Sequence, residues 1–482
     1  MSQNTKRTDM AIRITEAEIA RQYDFMEEAA AINAAVSGGR RRAFIRTFGC
    51  QQNEADSETL AGMVSRMGYD LCDGVDGADL VLINTCAVRE HAESRALSLT
   101  GRVKAEKNKN PDMIIGLCGC MATQSHISED IKKKFKYVDI LFGTTELWRF
   151  PEILLTRLKT GERIIEPGDE SRGIVAEGLP QIRADKYKVW ISVMYGCDNF
   201  CSYCVVPYVR GRERSRTRED VLRELEEAIK AGARDITLLG QNVNSYGRGL
   251  YDDYGFADLL RDAAKIEGDF KLRFMTSHPK DLTPALIAEL GSNPKIARAL
   301  HLPLQSGCDR ILKLMNRGYT RDTYLSLVKA VREAVPDIAL TTDIIVGFPG
   351  ETEEDFNETL DLLRQVRFDN IYSFIYSKRR GTKAAEMPQL PYPTKSERYT
   401  RLTELQAEIE LEFNRGFEGK TLEVLVEGVS KTDETRLTGR TDRGKAVHFE
   451  GPGSIIGSTA HVRIVRSETY ALYGELVPSE SK

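Results

Sequence analysis

The stretch Cys197-Asp198-Asn199-Phe200-Cys201-Ser202-Tyr203-Cys204 places three cysteines on one short loop, directly after an alternating run at 189–195 that is typical of a β-strand. Three thiolates leave a four-ligand site incomplete, but they suit an iron–sulfur cube in which the fourth iron keeps an open position. The alternatives are a zinc knuckle without its fourth ligand and three unrelated thiols. Because zinc sites usually present Cys or His in pairs, the spacing favours the iron–sulfur cube.

Composition is that of a globular protein with several domains. The chain has 482 residues, of which 41% are hydrophobic and 29% charged, so we expect two to four domains. The sequence contains no apolar run near the roughly 20 residues of a membrane span, and its polar N-terminus does not resemble an export signal. Nine cysteines, several of them clustered, favour a reducing cytoplasm, whereas the net charge of −4 does not decide whether nucleic acid binds.

Residues 42–160 predict repeated strand–helix units and therefore a doubly wound parallel sheet. Strand-like runs at 42–48, 79–84 and 112–117 are each followed by cysteine, and a helix is expected at about 54–67. Parallel strands end at one edge of a sheet, where ligands bind. The sequence therefore predicts a second three-cysteine cluster, built from Cys50, Cys86 and either Cys118 or Cys120.

Of the two candidates for the third ligand of this cluster, the sequence favours Cys120 over Cys118. Cys118 still belongs to the apolar strand run, whereas Cys120 follows Gly119 in a turn where the backbone can approach a cluster. We expect Cys72 and Cys308 to be packing residues. The alternative for the whole domain is a flavodoxin-like fold with incidental buried cysteines.

Four motifs resemble those of the radical S-adenosylmethionine (SAM) methylthiotransferases. They lie at 47–58, 83–90, 119–122 and 197–216. The resemblance implies two 4Fe–4S clusters, one bound by Cys50, Cys86 and Cys120 and the other by Cys197, Cys201 and Cys204. It also implies two equivalents of SAM per turnover, an external electron donor and a sulfur source.

The central region predicts six more strand–helix units, with strands at 189–196, 235–240, 270–276, 297–304, 338–346 and 370–376. As in the radical SAM superfamily, six units imply a partial (β/α)6 barrel with its chemistry at the carboxyl ends of the strands. Thr217 is the expected N-cap of the helix that follows the cysteine loop. Polar residues at the strand ends are candidate SAM contacts: Gln241, Gln305, Ser306 and Asp343. We expect the lone histidines His278 and His301 to be structural.

Alternating arginines beside the cysteine loop suit phosphate binding, and we expect RNA contacts from Arg210, Arg212, Arg214 and Arg216, with Arg218 nearby. A salt-bridge network with acidic helix residues is the alternative for each. Tyr195, Phe200, Tyr203 and Tyr208 are candidates for stacking on a base, although core packing is the better default for each of them.

The C-terminal part changes character after a helix at about 394–415. Short runs at 422–427, 437–441, 445–449 and 460–465, separated by glycines, predict a small all-β barrel that resembles the TRAM domain, a tRNA-binding module. Its candidate backbone contacts are Arg436, Arg440, Arg443 and Lys445.

Together these patterns predict an α/β protein with four segments. Residues 1–40 form a loose N-terminal extension with one helix at about 16–35. Residues 41–165 carry the auxiliary cluster, 183–415 form the radical SAM barrel and 416–480 form the TRAM barrel.

The resemblance is closest to enzymes that convert N6-isopentenyladenosine next to the anticodon of tRNA into its 2-methylthio derivative. An adenosine C2–H is unactivated, so the reaction needs the radical that reductive cleavage of SAM supplies. No conventional catalytic side chain is therefore required. Other family acceptors, threonylcarbamoyladenosine in tRNA and a ribosomal-protein aspartate, remain open, as do an iron–sulfur electron carrier and a non-catalytic tRNA-binding protein. The sequence predicts a tRNA partner, no membrane partner and a monomer.

Overall fold

The computed structural model describes residues 12–37, 39–88, 90–169 and 173–478. The N-terminal part folds around a six-stranded parallel sheet in the order β3-β2-β4-β5-β6-β7, and a short parallel pair, β1 and β8, lies outside it. The elements in chain order are β1 (Ile12–Arg13), α1 (Glu16–Ser37), β2 (Arg41–Phe48), α2 (Gln51–Arg66), β3 (Tyr69–Leu71), β4 (Leu80–Thr85), α3 (Glu90–Lys109), β5 (Ile114–Cys118), α4 (Cys120–Thr123), α5 (Ser125–Lys134), β6 (Ile140–Phe142), α6 (Phe150–Thr160), β7 (Ile164–Glu166) and β8 (Ile174–Val175), with a 3-10 turn at Thr144–Arg149.

Alternation along β4 shows why this sheet carries helices on both faces. Leu80 and Leu82 join one core cluster, whereas Val81 and Ile83 join another. All four side chains are fully buried, as expected for a parallel sheet covered on both sides. The predicted doubly wound sheet is therefore confirmed. The short strands β3, β6 and β7 were not predicted from the sequence.

Helix α1 corrects the expectation of a loose N-terminal extension. Met26 and Ala29 are buried in the same core cluster as Leu80, and the Asn33 amide donates to the Met67 carbonyl at 2.7 Å. The prediction is wrong for 16–37 because an apolar face of this polar helix packs on the sheet domain. Residues 1–11 lie outside the described residues.

Six parallel strands in sequence order form the central region as two groups, β9-β12-β13 and β14-β15-β16, which meet through a parallel bridge between Leu272 and Ile296. This is the predicted partial (β/α)6 barrel, and one large apolar core joins its strands to the surrounding helices. Its elements are β9 (Lys188–Ser192), β10 (Met194–Tyr195), α7 (Val206–Val209), β11 (Arg214–Ser215), α8 (Arg218–Lys230), β12 (Asp235–Leu239), α9 (Phe256–Lys265), β13 (Lys271–Phe274), α10 (Pro284–Ser292), β14 (Ala299–His301), α11 (Asp309–Leu314), α12 (Arg321–Ala334), β15 (Ala339–Val346), α13 (Glu353–Val366), β16 (Asn370–Ile375) and α14 (Tyr392–Arg415), with 3-10 turns at Val243–Ser245, Pro279–Asp281 and Lys383–Ala385.

The C-terminal part is a closed five-stranded barrel in the order β17-β18-β19-β21-β20. Its strands are β17 (Thr421–Val429), β18 (Leu437–Thr441), β19 (Ala446–Glu450), β20 (Thr459–Ser467) and β21 (Leu472–Leu476), with a 3-10 turn at Gly453–Ile455. Four of them match the predicted runs, and β21 was not predicted. Within the described ranges, we find no helix with the length and apolar character needed to cross a membrane.

The turn between β18 and β19 docks this small barrel on the end of the central barrel where the strands begin. Arg443 pairs with Asp369 at 2.6 Å, and Lys445 pairs with Glu410 of α14 at 3.2 Å. Both basic side chains are largely buried, so their predicted role as RNA contacts is wrong: the interface between the barrels uses their charges. Arg436 and Arg440 are partly exposed and remain candidates.

Candidate functional site

Three neighbouring strands of the N-terminal sheet bring Cys50, Cys86 and Cys120 to one edge. Cys50 and Cys86 follow β2 and β4, which are paired in register, and the Cys86 N–H donates to the Phe48 carbonyl at 2.9 Å. Cys120 begins α4, two residues beyond the end of β5. Cys86 is 1% exposed and Cys120 is 3% exposed. Three thiols that are distant in sequence therefore form one triad, as the topology predicts, with Cys86 and Cys120 buried and Cys50 partly buried.

Gly119 is required for this arrangement. Its φ is +89°, and a Cβ here would lie 2.3 Å from Asn84 Oδ1 and 2.6 Å from the Thr85 carbonyl oxygen. Any side chain would push β5 away from β4. The glycine thus lets the chain turn sharply and place Cys120 beside the other two cysteines.

Electrostatic contacts within the triad confirm that its thiols are close. A hydrogen bond between Cys50 and Cys86 lowers the pKa of Cys50 and raises that of Cys86, and the nearby Arg210 also lowers the pKa of Cys50. Burial raises the pKa of Cys120, which Arg210 opposes. Cys50 therefore loses its proton more readily than an ordinary thiol and forms the thiolate, which is the form that binds metal.

Cys118 lies on a different side of the strand. It joins the apolar core among Leu80 and Ile114, and its Sγ lies 3.8 Å from the Ile83 carbonyl oxygen. Burial raises its pKa. Cys118 is therefore a core residue in this structure, in line with the preference for Cys120.

The second triad lies on the loop between β10 and α7. Cys197 donates its N–H to the Gly211 carbonyl at 3.2 Å, and Cys204 donates to the Cys201 carbonyl at 2.9 Å. Phe200 adopts a left-handed conformation with φ +46°, which is uncommon for a bulky residue. The loop therefore curls back on itself and gathers its three cysteines.

A buried arginine accompanies this triad as well. Arg317 is 5% exposed and donates to Cys201 Sγ at 3.4 Å and to the Pro303 carbonyl at 2.9 Å. Burial raises the pKa of Cys197 and Cys204 to about 12, so both thiols are protonated at neutral pH until a metal displaces the proton. No pattern in the sequence points to Arg317, which lies more than 100 residues away from the loop.

The chemistry of both donor sets fits an iron–sulfur cube. Each set offers three thiols, all nine cysteines are free, and a guanidinium faces each set to balance the charge of bound thiolates. In the part of the chain that the structure describes, no group of three or more His, Cys, Asp or Glu residues could hold a single metal ion. A cube of four irons is wider than one ion, so its ligands do not need to converge on one point.

Hydrogen bonds and an apolar contact join the two triads. Gln52, two residues after Cys50, donates to Ser192 Oγ at 2.7 Å. Gln241 donates to Gln52 Oε1 at 3.4 Å and accepts from the Gly196 N–H at 2.5 Å. A small core cluster contains Ala87, Cys120, Val205 and Val209. Both triads therefore face one site between the N-terminal sheet and the central barrel, at the end where the barrel strands finish.

The predicted RNA-contacting arginines are mostly buried. Arg216 pairs with Glu177 and Glu224, Arg214 donates to backbone carbonyls, and Arg210 contacts the auxiliary triad. Other protein groups thus occupy the donors of these three arginines, which is the salt-bridge alternative that the sequence leaves open. Arg218 pairs with Asp262 at 3.0 Å. Arg212 keeps 54% of its side chain exposed and remains a candidate.

A partly exposed pair of aromatic side chains, Phe200 and Tyr208, lies beside Arg212. Its guanidinium carbon lies 5.3 Å from the centre of the Phe200 ring, and Phe200 contacts Tyr208 edge to face. Tyr208 is 38% exposed. Tyr195, Phe200 and Tyr203 are all partly buried, and of these three Phe200 contacts both Tyr208 and Arg212, so the surface suited to stacking consists of Phe200, Tyr208 and Arg212.

The candidate SAM contacts differ in their surroundings. Gln241 lies beside the second triad, as described above, and Asp343 lies 3.6 Å from His301 Nε2. Gln305 is backbone-paired to β15 in a left-handed conformation with φ +72°. Ser306 instead directs its hydroxyl to Thr359 of α13 at 3.4 Å, so we no longer propose it as a SAM contact.

Several buried polar atoms at the ends of β12 and β13 have no hydrogen-bond partner in the described chain. They are both amide atoms of Asn244, Ser277 Oγ and His278 Nε2. His278 accepts at Nδ1 from the Lys280 N–H, so its neutral ring carries the proton on Nε2, and burial lowers its pKa to about 2. The preceding Thr276 has φ +69°, a strained conformation for a β-branched residue. Unpaired buried groups beside strained backbone are typical of a ligand site.

Comparisons with known proteins agree with this architecture. Residues 191–363 match the radical SAM superfamily, 42–143 match the uncharacterized protein family UPF0004, and 415–477 match the TRAM domain. Among solved structures, the chain is similar to the radical S-adenosylmethionine methyltransferase TsrM from Kitasatospora setae, with a TM-score of 0.53 at 15% identity over 72% of this chain and 75% of that chain. The fold is therefore that of a radical SAM protein.

Full-length relatives define the family more closely. The chain is 50% identical over 470 residues to a tRNA-2-methylthio-N(6)-dimethylallyladenosine synthase of Acetivibrio thermocellus, covering 97% of this chain and 98% of the relative. A protein of the same name from Alkaliphilus oremlandii is 50% identical over 461 residues, covering 95% and 97%. The chain belongs to the tRNA-2-methylthio-N(6)-dimethylallyladenosine synthase family.

Proposed function

We propose that this protein is a radical SAM methylthiotransferase that converts N6-isopentenyladenosine next to the anticodon of tRNA into 2-methylthio-N6-isopentenyladenosine. The observation that carries the proposal is the meeting of two largely buried cysteine triads at one site between domains. A single triad would serve radical generation alone, whereas methylthiolation also needs a place for sulfur. The names of the full-length relatives support the choice of substrate.

We assign Cys197, Cys201 and Cys204 to the cluster that binds SAM, and Cys50, Cys86 and Cys120 to the auxiliary cluster. When bound, the two clusters supply reductive cleavage of SAM and a carrier for sulfur, which no side chain here can provide. The chain's own groups position the reactants. Gln241 is held between the two triads, and Asp343 and Gln305 line the strand ends where SAM would lie.

The target adenine would enter beside the unpartnered groups of Asn244, Ser277 and His278. A purine edge offers acceptors to the His278 Nε2–H and the Ser277 hydroxyl, and it offers both donors and acceptors to an amide. Leaving such groups unpaired costs about 1–3 kcal/mol each, so a ligand that pairs them is favoured. Flanking nucleotides of a single-stranded loop can stack on Phe200 and Tyr208.

The domains divide the work in this proposal. Residues 41–165 hold the auxiliary cluster, 183–415 hold SAM and the target base, and 416–480 bind the tRNA backbone away from the docking turn at 441–445. We propose that the protein acts in the cytoplasm as a monomer, with an external electron donor and sulfur source.

The direct test is nucleoside mass spectrometry of tRNA carrying isopentenyladenosine after anaerobic incubation with reconstituted protein, SAM, sulfide and a strong reductant. We expect a methylthio mass gain on that nucleoside. Release of 5′-deoxyadenosine without the gain would reject this substrate and direct the search to threonylcarbamoyladenosine or a ribosomal-protein aspartate. Absence of both products from fully iron-loaded protein would favour a non-catalytic role.

Two variants separate the roles of the triads. Cys50→Ala should retain 5′-deoxyadenosine release but lose thiomethylation, because only the auxiliary cluster is damaged. Cys197→Ala should lose both activities, because SAM can no longer be cleaved. The measurement is parallel quantification of 5′-deoxyadenosine and modified nucleoside. Normal thiomethylation by Cys50→Ala would contradict the assignment of two clusters.

A further inference from the structure

Arg210 belongs to the chain segment after the SAM-cluster loop, but its side chain reaches the other triad. Its Nε donates to Cys120 Sγ at 3.1 Å, and a terminal nitrogen donates to Asp56 at 2.7 Å. The residue is 5% exposed. Asp56 lies on α2, the helix that begins directly after Cys50. One guanidinium from the central barrel thus bonds to a proposed ligand of the auxiliary cluster and to a carboxylate on the helix that follows a second proposed ligand.

Contacts with the N-terminal domain also hold the backbone around Arg210 in place. Val209 accepts a hydrogen bond from Thr144 Oγ1 at 2.6 Å, and its side chain packs with Val205 against Cys120 and Ala87. The Arg210 carbonyl in turn accepts from Arg214 at 2.7 Å. The guanidinium therefore has little freedom to leave the triad.

Charge balance explains why an arginine occupies this position. A buried guanidinium is costly unless anions surround it, and Asp56 supplies one carboxylate. The thiols of Cys120 and Cys50 provide the rest of the negative field once they bind metal as thiolates. The planar fork of arginine can bond to a sulfur and a carboxylate together, which the single ammonium of lysine cannot do with the same geometry.

We propose that Arg210 is a positioning residue of the auxiliary cluster, contributed by the central barrel across the domain boundary. It orients Cys120 as a ligand, offsets the negative charge of the cluster and ties the loop of the SAM cluster to the auxiliary site. The proposal rests on the proposed function, because it assumes that the Cys50 triad binds a cluster. Hydrogen bonds to cluster sulfur and nearby positive charge make a cluster easier to reduce.

The test uses full-length protein in which Cys197, Cys201 and Cys204 are all replaced by alanine, so that only the auxiliary cluster contributes to the signal. The parent, Arg210→Gln and Arg210→Lys are reconstituted anaerobically, and iron content and midpoint potential are measured by redox titration with electron paramagnetic resonance. We expect a more negative potential in Arg210→Gln and a smaller shift in Arg210→Lys, which keeps the charge. Loss of the cluster from Arg210→Gln but not from Arg210→Lys would support the proposal equally.

A surface arginine provides the matched control. Arg298 pairs with Asp337, and both side chains are about half exposed, so Arg298→Gln should leave the potential and iron content unchanged. Equal potentials and iron content in the parent and both Arg210 variants would overturn the proposal. If the parent itself bound no iron, the Cys50 triad would not hold a cluster. That result would reject the proposed function, and the role of Arg210 would be rejected with it.

Discussion

At the scale of single residues, neighbouring positions take different chemical roles because a strand ends between them. Cys118 is the last residue of β5 and its side chain belongs to the core. Cys120, two residues later, lies beyond the turn at Gly119 and meets Arg210 and the other thiols. The backbone conformation of one glycine therefore separates a packing cysteine from a proposed ligand.

The pair Cys118→Ala and Cys120→Ala tests this difference. Cys120→Ala should lose the auxiliary cluster, which is about half of the iron in a protein with two cubes, because a cube held by two thiolates is weakly bound. Cys118→Ala should retain normal iron content and lose some stability through the small cavity that it leaves in the core. Iron analysis of anaerobically reconstituted protein measures the first effect, and thermal unfolding measures the second. Equal iron loss in the two variants would contradict the assignment of Cys120.

At the scale of secondary-structure elements, helix α8 holds a charged network behind the SAM-cluster loop. Thr217 caps the helix by accepting from the Asp220 N–H at 3.2 Å, as predicted from the sequence. Glu224, on the same helix, pairs with Arg216 at 2.5 Å and also with Arg183. The cap therefore stabilises the helix whose carboxylate holds Arg216 away from solvent.

Removing the cap should weaken this element measurably. We expect Thr217→Ala to lower the free energy of unfolding by about 1 kcal/mol, since one N-terminal backbone N–H loses its acceptor. Thr217→Ser keeps the hydroxyl and should retain most of the stability. Thermal unfolding of the two variants and the parent measures the effect. If serine and alanine were equally destabilising, the methyl group of Thr217 and not its hydroxyl would be responsible.

At the scale of the whole molecule, basic side chains of the C-terminal barrel that the sequence predicts to contact RNA instead join this barrel to the central barrel. Lys445 donates to the Asp369 carbonyl at 3.0 Å and pairs with Glu410, whose pKa is raised by burial. Arg273 of β13 donates to the Asp442 and Thr441 carbonyls from the other side. The docking turn therefore covers the end of the barrel opposite the cysteine triads.

Breaking the buried pair should cost more than any surface substitution. Lys445→Met leaves Glu410 buried without its cation, and we expect a loss of about 3–5 kcal/mol at pH 8. Because the pKa of Glu410 is raised in the folded state, protonation relieves the stranded charge as pH falls, so the deficit should narrow toward pH 5. Thermal unfolding at both pH values measures this change.

Two controls accompany the Lys445 variant. Lys431 is exposed, and Lys431→Met should change little. The double variant Lys445→Met with Glu410→Leu should recover most of the stability, because no charge is then left buried. A deficit in Lys445→Met that does not depend on pH would argue that lost packing, and not the stranded carboxylate, is the cause.

Much of the fold was predictable because it depends on local pattern. Alternating and apolar runs predicted the long strands, and Thr217 predicted the helix start. The short strands β3, β6, β7 and β21 carry too few residues for a clear period. Helix α1 was placed correctly, but its packing was missed because most of its residues are polar.

The sequence by itself determined which cysteines can act together: adjacent thiols on one loop at Cys197, Cys201 and Cys204, and thiols at successive strand ends at Cys50, Cys86 and Cys120. The triad of Cys50, Cys86 and Cys120 can be predicted from the sequence because successive strands of a parallel sheet end at one edge. Only the tertiary structure decided the partners of the arginines. Arg210 and Arg317 meet thiols that lie 90 and 116 residues away in sequence. A guanidinium suits phosphate, carboxylate and thiolate alike, so its role depends on which anion the folded chain places within reach.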